Sequence, residues 1–151
     1  MISQLQALLS PPEVTELTKQ LTQLVRDEVA SKSGIAGVGI KAAFGAVNRL
    51  KPDLVDTLIA HLLPAFLEAF SPLYVEFMEL KESGSASDLV AFMNLKRAQV
   101  VSALLSVTDR RADSGANPTL VKIYKKLRPI AEAQVSAAIP AVAKVLKGFG
   151  L

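Results

Sequence analysis

The chain has no cysteine, no tryptophan, a single histidine and only eight aromatic residues in 151. Without cysteine there are no disulfides, thiolate metal sites or thiol nucleophiles, and the composition fits a reducing compartment. His61 stands alone and no HExxH surrounds it, so a histidine-based zinc site has too few ligands. Strands favour aromatic and β-branched residues, whereas the chain is rich in alanine, the best helix former, with 21 copies. The expected fold class is all-α.

Long hydrophobic runs are missing too. The mean hydropathy of +0.35 is high, yet uncharged runs inside the chain, at 57–67, 98–108 and 133–143, reach 11 residues. A membrane helix needs about 20 predominantly apolar residues, so no transmembrane segment is expected. The opening MISQLQALLSPPE has no basic region typical of a secretory signal, and a soluble, cytoplasmic protein is expected. A net charge of +3 is too small to imply a nucleic-acid partner by itself.

Recognisable catalytic frames are also lacking. The run GIAGVGIK at 34–41 resembles a phosphate loop superficially, but its spacing is wrong and no strand precedes it. There is no nucleophile elbow and no Rossmann fingerprint. His61 shares a polar helix strip with Thr57 and Glu68 and reads as a surface residue. No catalytic, cofactor-binding or metal-ligating residue is assigned, no cofactor is expected, and nothing in the sequence favours an enzyme.

What is present is a densely apolar stretch at 52–70, PDLVDTLIAHLLPAFLEAF. At about 100° per residue its large side chains cover an arc of roughly 180°, wider than a surface helix needs, which marks it as the core helix of a bundle. The eight prolines punctuate the chain. Ser10-Pro11, Ser71-Pro72 and Asn117-Pro118 each put a capping side chain before a proline and predict helix starts, the first strengthened by Glu13 at the capping-box position. Lys51-Pro52 and Arg128-Pro129 predict boundaries or bends, and Pro64 a kink on the polar strip of its helix.

In order, the pattern predicts an apolar segment at 2–9 and helices at 11–31, 35–50, 52–70 and 72–81. The loop ESGSAS at 82–87 follows, then a helix at 86–111, the loop DSGAN at 113–117, a basic helix at 118–128 and an alanine-rich one at 129–147. Lys96 and Arg97 are the only charges between Asp88 and Asp109, and one of them is expected to pair with Glu68, Glu76 or Glu79. The whole reads as one helical domain, 1–151, a compact bundle of six to eight helices. Similar punctuation in 11–82 and 86–151, at offsets near 80 residues, raises an internal pseudo-twofold repeat.

Two surfaces stand out. Lys122, Lys125 and Lys126 share one helix face, and with Arg128 they are candidate contacts for an anionic ligand or surface; a merely solvated face is the alternative. Gly39, Ala42, Ala43 and Ala46 form small ridges that let another helix approach closely. That groove receives either the helix around Ala137, Ala138 and Ala141 of the same chain, or a partner. Three helices look apolar on two sides, more than a bundle this small can bury. The function these features favour is a non-catalytic protein-interaction or self-associating module. Left open are a bundle enclosing an apolar small molecule or lipid, and weak binding of nucleic acid or an anionic surface through the basic C-terminal helices.

Overall fold

The computed structural model describes residues 5–114 and 117–151. A 3-10 turn at Gln6–Leu8 precedes six helices: α1 Pro11–Ser31, α2 Gly34–Leu50, α3 Leu54–Glu82, α4 Leu89–Leu95, α5 Arg97–Asp113 and α6 Pro118–Gly148, with no strand among the described residues. The all-α expectation holds. Residues 2–4 of the predicted apolar segment and residues 115 and 116 of the predicted loop DSGAN lie outside the described residues.

Local sequence explains the helix starts. Ser10 Oγ accepts from Glu13 N while Glu13 Oε1 accepts from Ser10 N at 2.9 Å, the expected capping box. Asn117 Oδ1 accepts from Thr119 N and Leu120 N at the start of α6. Asp88 caps α4 through Ala91 N at 2.8 Å and also holds Lys147 Nζ at 3.0 Å, which ties α4 to the end of α6. α2 lacks a side-chain cap; it begins at Gly34, whose φ of +72° suits only glycine, and Gly37 lies so close to the preceding turn that a Cβ would sit 2.8 Å from the Lys32 carbonyl carbon.

Two expected boundaries are overturned, and one helix expected to be continuous is divided. Ser71-Pro72 does not start a helix, because α3 runs through it for 29 residues. Ser71 Oγ donates back to the Leu67 carbonyl at 2.8 Å and accepts from Leu5 N at 3.4 Å, so the hydroxyl serves the helix interior and the N-terminal segment instead of a cap. Arg128-Pro129 is likewise internal to α6, while Pro64 leaves α3 continuous, as expected. Four prolines thus sit inside helices, at 64, 72, 129 and 140. The carbonyls that lose the helical bond to proline belong to Ala60, Glu68, Lys125 and Ser136, residues that all reach the surface, where water can replace it. The predicted helix at 86–111 instead divides at Lys96, which has φ −97° and ψ 24°. That bend lets Phe92 and Met93 on one side and Val100 and Val101 on the other reach the same core.

The core is built on α3. Leu63, Leu67, Phe70, Tyr74 and Phe77 meet Leu17 of α1, Phe92 and Met93 of α4, Val100 and Leu105 of α5, and Ile139, Ala143 and Leu146 of α6. Phe70, Tyr74, Phe77 and Phe92 form a chain of tilted rings with centroids 6.4, 5.8 and 5.3 Å apart. At the solvent edge Lys96 Nζ pairs with Glu76 Oε1 at 2.9 Å, one of the pairings the sequence predicts. The N-terminal half of α3 is less enclosed than the apolar arc implies: Leu54, Leu58, Ile59, Leu62 and Phe66 are only half-buried. Because Pro72 does not interrupt it, α3 is also the one helix among the described residues long and apolar enough to cross a membrane by length and composition, although its inner stripe forms this core.

α1 and α3 run antiparallel: Arg26 pairs with Asp56 at one end, and Leu5 bonds Ser71 toward the other. α2 therefore joins two helix ends on the same side of the molecule and packs on α1, α3 and α6, with Ile40 and Val47 buried outside the main core cluster. The pseudo-repeat is not confirmed. Leu50-Lys51-Pro52 separates two helices, whereas its proposed counterpart Leu127-Arg128-Pro129 lies within one.

Candidate interaction surface

On α2, Ile40, Phe44 and Val47 stand at i, i+4 and i+7 and turn inward, with Phe44 half-buried. The opposite face has no cover. Ile35 is 95% exposed and Val38 71%, two branched aliphatic side chains facing solvent next to Gly39 and Ala42, which are also exposed. A Cβ built on Gly39 meets nothing within 4 Å. Ala43 and Ala46 are half-buried at the edge of this face. The same-chain filling of the groove does not occur at Gly39 and Ala42: α6 touches α2, but Ala137 points to solvent and the outer ridge stays open. Arg49, whose Nε donates to the Gly45 carbonyl, adds charge in the last turn of α2, and the exposed Lys41 adds a second base along the helix. Ile35 and Val38 were not singled out from sequence, because a helix apolar on both sides does not announce its inner face. The Ile40, Phe44, Val47 stripe is the signal that could have done so.

The basic stripe is divided. Lys122, Lys125 and Lys126 are exposed on the first turns of α6, but Arg128 is drawn off to Asp109 of α5. Its Nε donates to Asp109 Oδ1 at 2.9 Å and its Nη2 to Oδ2 at 3.2 Å, a bidentate pair. Tyr124 Oη donates to the same Oδ1 at 2.5 Å and lies 2.7 Å from the Thr108 hydroxyl. Arg128, then Tyr124, holds the Asp109 carboxyl below the usual carboxylate range. Burial, and next the Asp109 bond, pushes the Tyr124 hydroxyl up. Tyr124 and Arg128 stand one turn apart at i, i+4 on α6, but nothing in the linear sequence links them to Asp109 on α5.

A group with a lowered folded pKa contributes stability that is present above its unfolded value and lost as pH falls through the folded one. Asp109→Asn should therefore lower the melting temperature at neutral pH, and the gap to wild type should narrow as pH falls below about 4, the ordinary aspartate value. Melting curves between pH 7 and 2 check this; a gap independent of pH would mean that the Asp109 charge does not stabilise the fold.

Two open grooves flank α5. One, of about 670 Å³, lies between α5 and α6 beside the Asp109–Arg128 pair; the other, of about 580 Å³, lies between α3 and α5 and exposes His61, Glu68, Arg110 and Arg111. Neither is a closed apolar chamber of the kind in which bundles enclose small molecules. His61 is exposed on the polar strip, as its spacing predicts. Among the described residues no three His, Asp or Glu side chains gather closely enough to hold a metal ion.

No curated protein and no solved structure matches the chain. Residues 5–149, nearly the whole bundle from the first buried leucine to the end of α6, match DUF6918, a family of unknown function, and the protein belongs to that family.

Proposed function

We propose that the protein is a non-catalytic helical module that assembles with further copies of itself, using the outward face of α2 as a docking surface. The observation that carries this reading is the exposure of Ile35 and Val38 beside Gly39 and Ala42. Lone exposed aliphatic residues are common; two on one face, one turn apart and next to small residues that admit a neighbouring helix, form a surface that gains by being covered. Glycine inside a helix costs about 1 kcal/mol relative to alanine, and at Gly39 nothing among the described residues requires it. A docking partner gives the absent side chain a purpose.

The test replaces Ile35 and Val38 together by Glu. Both positions face solvent, so the fold should tolerate the change within about 0.5 kcal/mol each. Sedimentation velocity at increasing concentration should show the wild type growing beyond a monomer and the double variant remaining one. A wild type that stays monomeric, or a variant that associates equally well, rejects the reading.

A further inference from the structure

Resting on the reading that α2 receives a second copy, we infer that its occupant is the C-terminal half of α3 of that copy, so that molecules join head to tail. The argument is charge complementarity between two exposed apolar helix faces. Residues 29–52 contain four bases and no acid. Lys32 is paired with Glu28 and Lys51 lies 3.8 Å from Asp53, while Lys41 and Arg49 have no ion pair among the described residues. Two α2 faces brought together would set Lys41 and Arg49 of one copy against those of the other. A symmetric contact through α2 is thereby disfavoured.

The matching face is on the same chain. Along the outside of α3, Val75 and Met78 are exposed large apolar residues, and Glu68, Glu79 and Glu82 around them are exposed without an ion pair among the described residues. At helical spacing these five residues share one side of α3. Val75 and Met78 supply the bulk that the Gly39 and Ala42 ridge lacks, and the glutamates supply the charge that Lys41 and Arg49 leave unanswered. Within one molecule the two faces leave each other uncovered: Ile35, Val38, Val75 and Met78 all stay exposed. A contact between unlike faces leaves one of each free on every pair, and growth continues into a ring or an open chain.

Complementary variants test the arrangement in the full chain. Gly39→Leu blocks the α2 face at a position where the monomer has open space, and Glu79→Lys with Glu82→Lys reverses the α3 face; circular dichroism should show both folded. In sedimentation velocity the wild type should form species that grow with concentration and weaken severalfold as salt rises from about 50 to 500 mM. Each variant alone should be monomeric, and an equimolar mixture should form a dimer and nothing larger, since only one live α2 face and one live α3 face remain. If the glutamate variant alone associates like the wild type, or the mixture stays monomeric while the wild type associates through Ile35 and Val38, the head-to-tail inference is overturned and the docking role of α2 survives. A wild type monomeric throughout overturns both. So does a monomer that binds vesicles of anionic phospholipid more tightly as Gly39→Leu, because an added leucine strengthens insertion into lipid and obstructs a docked helix.

Discussion

Replacing Phe77 by Ala is expected to cost about 3–5 kcal/mol, the largest loss from a single side chain on α3. Phe77 is 1% exposed and stands between Tyr74 of its own helix and Phe92 of α4, its ring centroid 5.8 Å from the first and 5.3 Å from the second. Truncation removes the transfer energy of a full aromatic side chain and leaves a cavity whose walls come from separate helices and collapse only in part. The ring pairs add a further contribution of about 0.5–1.5 kcal/mol each beyond area burial. For a chain of this size the melting temperature should fall by on the order of 10 °C. Urea unfolding of Phe77→Ala beside Val75→Ala, an exposed position on the same helix, checks this. A loss below about 1 kcal/mol at Phe77 would mean that the α3–α4 contact is not part of the cooperative core.

Replacing Pro72 by Ala is expected to act in the opposite direction, raising stability by about 1–3 kcal/mol. Proline in a helix interior is about 3 kcal/mol less favourable than alanine, because it removes the bond to the carbonyl four residues back and its ring crowds that carbonyl. Pro72 is exposed on α3, so losing its ring forfeits little packing, and the new N–H can reach the Glu68 carbonyl. The gain falls short of the full difference where α3 has already bent to suit the proline and its neighbours have packed on the bent form. Thermal and urea unfolding measure it. A loss of stability would show that Pro72 itself is needed to seat Tyr74 and Phe77, which follow it by two and five residues, in the core.

The prolines also show where a sequence stops being legible. Ser10-Pro11 and Asn117-Pro118 start helices as their chemistry predicts, because the capping oxygen is the best partner for the free N–H groups. Ser71-Pro72 has the same two residue types and the opposite outcome. There the preceding turns already belong to a helix anchored by Leu63, Leu67 and Phe70, and breaking it would expose more apolar surface than the lost hydrogen bond costs. Local signals set an energy of a few kcal/mol; the burial of several large side chains exceeds it. The same balance divides the predicted 86–111 helix at Lys96 although no proline or glycine stands there.

The open face of α2 was half legible. Gly39 and Ala42 could be picked out as close-packing positions because glycine in a helix needs a reason, and they do lie on the open ridge of α2. Ala43 and Ala46, chosen on the same grounds, lie at its half-buried edge, and of the basic stripe Arg128 belongs to Asp109. Composition and periodicity alone determined that this chain is helical, where α1, α2 and α6 begin, and that it has more apolar helix surface than a bundle of its size can hide. Those properties follow from residue type and from spacing within a turn or two, which are local in the chain. Which face of α2 turns outward, which prolines are carried inside a helix, and that Asp109, Tyr124 and Arg128 meet were decided by the tertiary structure. Each depends on the burial or pairing that distant segments offer, and no window of neighbouring residues contains it.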